Sequence, residues 1–238
     1  MTPRLRVMTY NIQFGRGIDG RIDLDRIARV ITPFQPDVLL LQEVDIGQPR
    51  SGHVDQVEYL AALLELPATF APTIQTSGAR YGNATFSRLP VVASEWVALP
   101  YRAGRPRSIP RCALVTQLDW PAAGIELQTV NTHLSVVASD RPAQMATVAR
   151  TINGGPTLVA GDFNCMPWSS PFRTLARELR PITRGARSWP SPFPVVDVDH
   201  ILVRGPLAVH RAGTWVIGPA RTASDHLPVI AELEYHRG

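Results

Sequence analysis

The 238-residue sequence contains no lysine, so all 24 of its basic side chains are arginines. The guanidinium group presents a planar fork of donors that suits bidentate contacts with phosphate, although an all-arginine inventory also arises from coding bias. With 20 acidic residues the formal net charge is +4, and the isoelectric point is about 9.6. This mild positive excess is compatible with an anionic substrate but does not identify one.

Cysteine and long apolar runs are also scarce. The two cysteines, Cys112 and Cys165, show neither a disulfide framework nor metal-ligand spacing, which predicts free thiols in a reducing compartment. No apolar run reaches the length of a membrane span, and the first residues lead into a strand without the apolar core of a signal peptide. We therefore expect a cytoplasmic protein without a transmembrane segment.

Apolar periodicity predicts one α/β domain over residues 1–238. Helical spacing predicts four helices, over residues 23–33, 53–66, 139–152 and 169–179. Short apolar runs bounded by Gly and Pro predict strands over residues 5–11, 38–41, 68–71, 84–87, 91–99, 111–118, 125–134, 157–160, 198–203, 207–216 and 227–233. Because helices and strands alternate in both halves with many strands between them, we expect two mainly antiparallel sheets flanked by helices.

The strand from Thr157 ends in Gly161-Asp162-Phe163-Asn164. Gly161 is expected to allow a sharp turn that delivers a carboxylate and a carboxamide, two residues apart, where a packed strand meets solvent. Held on a rigid strand end, such a pair can orient a water, a metal or a phosphate. Asp and Asn are also ordinary turn residues, so this segment alone does not establish a site.

Other polar residues stand next to short apolar strands in the same way. They are Asn11, Glu43, His133, the pair Asp199-His200 and the pair Asp225-His226. Carboxylates and an asparagine supply hard oxygen ligands that suit Mg²⁺ or Mn²⁺ better than Zn²⁺. Histidines exchange protons near neutral pH. The pattern therefore indicates a divalent-metal site with proton-transfer groups beside it.

Seven short motifs, in this order, carry a resemblance to a known family. They are Thr9-Tyr10-Asn11-Ile12, Leu41-Gln42-Glu43-Val44, Gly82-Asn83-Ala84-Thr85-Phe86-Ser87-Arg88-Leu89-Pro90, Asn131-Thr132-His133-Leu134, Gly161-Asp162-Phe163-Asn164, Asp199-His200-Ile201 and Ser224-Asp225-His226-Leu227-Pro228. They resemble the endonuclease/exonuclease/phosphatase superfamily of Mg²⁺-dependent phosphoesterases, which includes DNase I, AP endonucleases, inositol polyphosphate 5-phosphatases and neutral sphingomyelinases. The resemblance spans residues 7–233 and implies a DNase I-like four-layer α/β/β/α sandwich, with the site at one rim between two sheets.

The resemblance also implies a role for each matching residue. Glu43 corresponds to the principal metal ligand, with Asn11 and Asp225 close to the metal. His226 corresponds to the catalytic base, oriented by Asp199 in a His–carboxylate dyad. Asp162 and Asn164 match the pair that positions the attacking water and the phosphate, and His133 matches the second histidine of the DNase I-like and sphingomyelinase-like branches. The segment Arg187-Ser188-Trp189-Pro190 is similar to short bacterial members of uncharacterised substrate.

Several neighbouring residues have two interpretations. Arg111 either contacts the substrate phosphate or is a surface charge, and Asn83 either supports that phosphate or is a turn residue. Trp189 either stacks on a substrate or covers an edge of the core, and we favour the core edge. The basic loop Arg102–Arg111 is expected to be mobile and to face the substrate. His200 points away along its strand and is expected to be structural.

These residues predict a Mg²⁺-dependent phosphoesterase, with Mn²⁺ as a possible alternative ion, acting on a phosphodiester or a phosphomonoester through in-line attack of water. The partner is expected to be a phosphoester, with nucleic acid and a lipid head group both open, and the chain is expected to be a monomer.

A nuclease would arrange basic and aromatic residues along the nucleic-acid backbone. The two arginine clusters show little aromatic interleaving (Arg102, Arg105, Arg107 and Arg111; Arg180, Arg184 and Arg187). No apolar membrane-binding hairpin is evident. A non-catalytic binder on this fold ranks last, because the catalytic set is intact.

Overall fold

The computed structural model describes residues 2–236, which form twelve strands and five α-helices. The strands are β1 (Arg4–Asn11), β2 (Val38–Ile46), β3 (Ala68–Thr76), β4 (Ala79–Ser87), β5 (Val91–Leu99), β6 (Arg111–Trp120), β7 (Ile125–His133), β8 (Thr157–Asp162), β9 (Arg180–Pro181), β10 (Asp199–Arg204), β11 (Leu207–Thr214) and β12 (Val229–Tyr235). The helices are α1 (Leu24–Ile31), α2 (Gln56–Leu64), α3 (Arg141–Arg150), α4 (Ser170–Leu175) and α5 (Ala220–Ala223). Among the residues described, no helix has the length and apolar character needed to cross a bilayer.

The strands form two sheets of six, in the orders β11-β12-β1-β2-β4-β3 and β5-β6-β7-β8-β10-β9. Each sheet contains one parallel pair, β1 with β2 and β7 with β8, and its other neighbours are antiparallel. Helices α1 and α3 connect the two parallel pairs, because strands that run in the same direction need a crossover connection. The prediction of two mainly antiparallel sheets is confirmed.

Apolar side chains fill three layers of core. The two sheets pack face to face through residues such as Leu5, Leu40 and Leu158. Helices α1, α2 and α5 cover the outer face of the first sheet, and helices α3 and α4 cover the outer face of the second. The central strands are buried on both faces, which explains their nearly continuous apolar sequences. The predicted α/β/β/α sandwich is thereby confirmed.

Strand β2 differs from its prediction at the position that matters most for the site. It continues to Ile46 instead of ending at Leu41, and its register against β4 shifts between Leu41 and Val44. Glu43 lies in this β-bulge with a φ of 59°, in the left-handed region that side chains other than glycine rarely adopt. A bulge redirects a side chain out of the regular alternation, and strained backbone of this kind is typical of functional positions.

Gly161 lies inside β8 and not at a turn after it, which corrects the expectation drawn from the sequence. It pairs with Thr132 of β7 and with His200 of β10. Its φ is 146°, and a Cβ atom added to it would lie 1.8 Å from the carbonyl oxygen of Thr132. Glycine is therefore required for the close approach of β7 to β8, immediately before Asp162.

We expect Gly161→Ala to destabilise the protein by roughly 3 kcal/mol, because the methyl group forces two central strands apart. Gly154→Ala is the matched control, since Gly154 also has a positive φ (89°) but nothing lies within 4 Å of its added Cβ. Its cost is the backbone strain alone, about 1 kcal/mol. Thermal or urea unfolding of both variants measures the difference, and equal losses would contradict the steric explanation.

Candidate active site

The predicted site residues meet at one end of the β-sandwich. Asn11, His133 and Asp162 are the last residues of β1, β7 and β8, while Asp199 is the first residue of the antiparallel β10. The strand register sets Asp162 opposite His133 on one side and opposite Asp199 on the other. Because these strands are central in their sheets, the polar groups at their ends are buried and fixed by the packing around them.

Asp162 is the hub of the site and is 1% exposed. Its Oδ2 accepts a hydrogen bond from Asn11 Nδ2 at 3.1 Å and lies 3.3 Å from His133 Nε2 and 3.8 Å from His226 Nε2. Its Oδ1 accepts from the backbone N–H of Asn164 at 2.9 Å. Burial raises the pKa of this carboxyl well above its usual range, and the charge of His226 opposes that shift. Two hydrogen bonds and two imidazole nitrogens thus converge on one buried carboxylate.

The Asn11 amide stands between two carboxylates. Asn11 Nδ2 is 3.2 Å from Glu43 Oε1 and 3.1 Å from Asp162 Oδ2, while Asn11 Oδ1 accepts from the backbone N–H of Gln13 at 3.1 Å. Burial also raises the pKa of Glu43, against the opposing effects of Asn11 and Arg111. The partly buried carboxylate of Glu43 and the buried one of Asp162 thus lie on either side of one neutral amide, and their hard oxygen atoms fit a divalent cation.

His226 and Asp199 form the predicted dyad. The Nδ1 atom of His226 donates to Asp199 Oδ2 at 2.7 Å, which leaves Nε2 facing Asp162. Burial alone would lower the pKa of His226, but the charges of Asp199 and Asp162 raise it above its usual value. Ser188 Oγ donates to the same Asp199 oxygen at 2.5 Å. Sequence reasoning missed this role of Ser188, because the segment Arg187-Ser188-Trp189-Pro190 suggests only a similarity to short bacterial members.

His133 is neutral in this arrangement. Arg111 Nη1 donates to His133 Nδ1 at 3.0 Å, so Nδ1 is an acceptor and the proton lies on Nε2 beside Asp162. Burial, together with the charges of Arg111 and His226, holds the pKa of His133 well below its usual range. His133 is therefore a neutral ring that presents an Nε2–H to the site.

Arg111 is 6% exposed, which excludes the surface-charge interpretation. Its Nε is buried and has no hydrogen-bond partner among residues 2–236. A buried guanidinium with an unused donor needs an acceptor, and an anionic oxygen is the best one. Arg111 thus stands beside the site as a candidate phosphate contact.

Asn164 and Asp225 also lie near the site, but with fewer side-chain contacts to its other members. Asn164 adopts a φ of 48° and donates from Nδ2 to the backbone carbonyl of Leu134 at 3.0 Å. Asp225 is half-buried, and its charge raises the pKa of both Glu43 and His226, so it lies near both. Its carboxylate accepts a hydrogen bond from Ser224 Oγ at 3.4 Å.

Asn83 and His200 make structural contacts. Asn83 Nδ2 donates to the backbone carbonyl of Cys112 at 3.2 Å, which ties β4 to β6 of the opposite sheet. Its contact with a substrate phosphate stays a prediction. His200 bonds through Nε2 to the carbonyl of Cys165 at 2.9 Å and packs edge-on against Phe163, in line with the structural role expected for it.

A buried amide network lies under the site and was not anticipated. Gln42 Nε2 donates to Asn131 Oδ1 at 2.8 Å, and Asn131 Nδ2 donates to the carbonyls of Leu41 and Ala84 at 3.1 and 2.9 Å. These bonds join β7 of the second sheet to β2 and β4 of the first. They fix the relative position of the two sheets at the end where the site lies.

Asp162, Asp199 and His226 also bring one ligand atom each within 4.8 Å of one another, in the manner of a metal site. Asp199 and His226 already bond to each other at 2.7 Å, however, and Ser188 occupies the same Asp199 oxygen. A cation on Asp199 Oδ2 and His226 Nδ1 would have to break the dyad, whereas Asp199 Oδ1 is buried and has no hydrogen-bond partner among residues 2–236. The Glu43 and Asp162 side of the site is therefore the better place for one.

A cavity of about 460 Å³ opens beside His226 and Asn164. Trp168 and Trp189 form part of its lining. Trp189 is 43% exposed, so it borders this cavity and does not cover an edge of the core, which corrects our preferred interpretation. The exposed tryptophans leave an apolar surface directly next to the dyad.

The comparisons with known proteins identify a family and a fold. The sequence matches the model of the Endonuclease/Exonuclease/phosphatase family over residues 8–226. A structure described as endonuclease/exonuclease/phosphatase from Beutenbergia cavernae is 25% identical, with a TM-score of 0.80 over 98% of this chain and 72% of that chain. The human nocturnin catalytic domain, solved with a bound sulfate anion, is 22% identical with a TM-score of 0.78, covering 99% of this chain and 96% of that chain. A mannosyl-6-phosphatase from Bacteroides thetaiotaomicron is 20% identical with a TM-score of 0.77, covering 96% and 99%. A search of curated protein sequences gave no match.

Proposed function

The chain belongs to the endonuclease/exonuclease/phosphatase family, and from this premise we propose that it hydrolyses a phosphodiester or phosphomonoester with Mg²⁺ or Mn²⁺ bound at its site. One observation carries the proposal. The Asn11 amide lies between the partly buried carboxylate of Glu43 and the buried carboxylate of Asp162, beside the His226–Asp199 dyad. A place for a cation thus adjoins a group that accepts protons, as metal-assisted hydrolysis requires.

Glu43 is the proposed main ligand, with Asn11 and Asp225 beside it. A divalent cation bound there supplies Lewis-acid stabilisation of the charge that develops on the phosphate oxygens. His226 faces the site with Nε2 and accepts the proton of the attacking water. When the ring is neutral, the hydrogen bond from Nδ1 to Asp199 leaves its free lone pair on Nε2, and the raised pKa of His226 makes that lone pair a stronger base.

The remaining polar groups hold the phosphate and the water in line. Asp162 orients the water through Oδ2, where the donors of the site converge. His133 offers its Nε2–H, and Arg111 offers a buried guanidinium with an unused Nε–H, to phosphate oxygens. Asn164 and, at a greater remove, Asn83 complete the proposed phosphate contacts. Such fixed donors stabilise a transition state better than water does, because they need no reorganisation.

The structural neighbours support an anion-binding centre. One of them is described as a mannosyl-6-phosphatase, and another contains a bound sulfate anion. A nuclease is the second candidate function. It is favoured by Trp168 and Trp189, which stand beside Arg141 at the cavity next to His226 and supply the aromatic interleaving that the linear sequence did not show.

We expect the purified protein to hydrolyse bis-p-nitrophenyl phosphate or p-nitrophenyl phosphate when Mg²⁺ or Mn²⁺ is added, and to lose this activity with EDTA. A panel that adds plasmid DNA, abasic-site DNA, sphingomyelin and inositol phosphates identifies the substrate class. Calcium serves as a control cation of equal charge with looser coordination geometry. Hydrolysis at the same rate with EDTA present would rule out the proposed mechanism, and plasmid nicking that falls steeply with salt would favour the nuclease.

A further inference from the structure

The cavity beside His226 continues into a second one. The second cavity has a volume of about 540 Å³ and shares Met166 and Trp168 with the first. Its remaining lining includes Arg173, Arg184 and Arg187. A single groove therefore runs from the dyad, past Trp168, to a group of three arginines, which we call the distal arginine cavity.

The distal arginine cavity has an excess of positive charge. Within residues 2–236, no carboxylate lies within 4.0 Å of the guanidinium groups of Arg173, Arg184 or Arg187, and Arg173 donates only to the backbone carbonyl of Trp168, at 3.2 Å. One carboxylate, Asp197, also lines the cavity, but it is buried and its Oδ2 accepts the backbone N–H of Gly185 at 2.9 Å. Three unpaired cations against one acid leave the cavity suited to a doubly charged anion.

The wall between the dyad and the distal arginine cavity is aromatic. Trp168 is 68% exposed and Trp189 is 43% exposed, and both indoles border the first cavity. Large apolar side chains this exposed beside a catalytic centre mark a binding surface more often than a folding requirement. A flat apolar group can stack on an indole face, with a stacking energy of about 1–3 kcal/mol for a nucleobase.

We propose that the distal arginine cavity binds a second phosphate group of the substrate, joined to the scissile phosphate by a nucleoside whose base lies against Trp168 and Trp189. The inference rests on the proposed function, because the scissile phosphate has to occupy the centre at His226. The substrate is accordingly a nucleotide ester with at least two phosphates. A membrane surface is the competing ligand, because Val195 in the same cavity is 61% exposed and nearby Phe193 is 81% exposed, and the vesicle measurement below separates the two.

Matched substrates test this subsite. Thymidine 5′-(p-nitrophenyl phosphate) with and without a 3′-phosphate differ only in the second phosphate, and methyl p-nitrophenyl phosphate lacks both nucleoside and second phosphate. All three release p-nitrophenolate. We expect the 3′-phosphate to raise kcat/KM about tenfold, as one charge-assisted contact of ordinary strength does. Equal kcat/KM for the two thymidine esters, with metal-dependent turnover of all three substrates, would overturn the subsite and leave the proposed function intact.

The double variant Arg184→Gln/Arg187→Gln should lose the preference for the 3′-phosphate and keep its turnover of methyl p-nitrophenyl phosphate. Arg177→Gln is the control. Arg177 is exposed and follows α4, the helix that contains Arg173, but it does not line either cavity. Trp168→Ala should weaken both thymidine esters and spare the methyl ester. If Arg177→Gln loses the preference for the 3′-phosphate and the double variant keeps it, the assignment of the second phosphate to the distal arginine cavity would be overturned.

Calorimetry gives a readout that does not need turnover. In Mg²⁺, thymidine 3′,5′-bisphosphate should bind about tenfold more tightly than thymidine 5′-monophosphate, and the arginine double variant should remove the difference. If no ester is hydrolysed, this binding preference still supports the subsite while the proposed function fails. Equal affinities overturn the inference. A second result would also overturn the inference: the parent protein binds phosphatidylglycerol vesicles, the double variant does not, and neither prefers the bisphosphate. The groove would then be assigned to a lipid surface.

Discussion

Replacing His226 with asparagine is expected to lower kcat for metal-dependent phosphoester hydrolysis by about a thousandfold, with KM changed only severalfold. Asparagine can retain a donor toward Asp199 Oδ2, which His226 Nδ1 now contacts at 2.7 Å, but it cannot accept the proton of the attacking water. The loss should therefore fall on the chemical step and not on substrate binding. Steady-state kinetics with the best substrate of the hydrolysis panel measures both constants.

His53→Asn is the matched control for this substitution. His53 is exposed and has a φ of 60°, a conformation that asparagine tolerates, so the same chemical change there should leave kcat unaltered. Ser188→Ala should produce a smaller loss, since Ser188 positions Asp199 and does not touch the reacting atoms. A His226→Asn variant with more than about a tenth of the parent kcat would contradict the assignment of the base, because general-base contributions are typically 10²–10⁴-fold.

The layers of the fold could be predicted from the sequence, because its central strands are apolar runs that end in polar residues. Residues 157–160 and 38–41 have no solvent-facing alternation, which is the pattern of strands buried on both faces. Asp162, Asn11 and His133 stand at the ends of such runs, so strand order alone brings them together. The dyad of His226 with Asp199 was predicted from the ordered motifs, and its two atoms lie at hydrogen-bonding distance.

The unanticipated features depend on contacts that no local pattern encodes. The bulge at Glu43 exists because β4 pairs with β2 on both sides of it, and the need for glycine at Gly161 comes from the carbonyl of Thr132 on a neighbouring strand. The groove joins a loop at Trp168 to another at Arg184 and Arg187, so its aromatic and basic groups alternate in space but not in sequence. The arrangement in space is therefore more favourable to a nuclease than the linear spacing of these residues indicates.

Glu43→Gln is expected to abolish hydrolysis and to make the metal-free protein more stable. Glu43 is held in a strained left-handed conformation beside Asp162, and burial raises its pKa, so the ionised side chain opposes folding until a cation neutralises it. Glutamine keeps an oxygen to accept from Asn11 Nδ2, now at 3.2 Å from Glu43 Oε1, and removes the charge. A gain in stability with loss of activity is the usual outcome at a site that concentrates like charges.

Thermal unfolding with and without Mg²⁺ separates the two effects. The parent protein should gain about 2.7 kcal/mol when the cation is present at about 100 times its Kd, because only the folded state binds it. The Glu43→Gln variant should begin with a higher melting temperature and gain little from the cation. Glu65→Gln is the control, since Glu65 has a similar φ of 53° but is exposed and lies outside the site. An equal rise in melting temperature for the parent and for Glu43→Gln on adding Mg²⁺ would show that the cation binds elsewhere, and the assignment of Glu43 as the main ligand would fail.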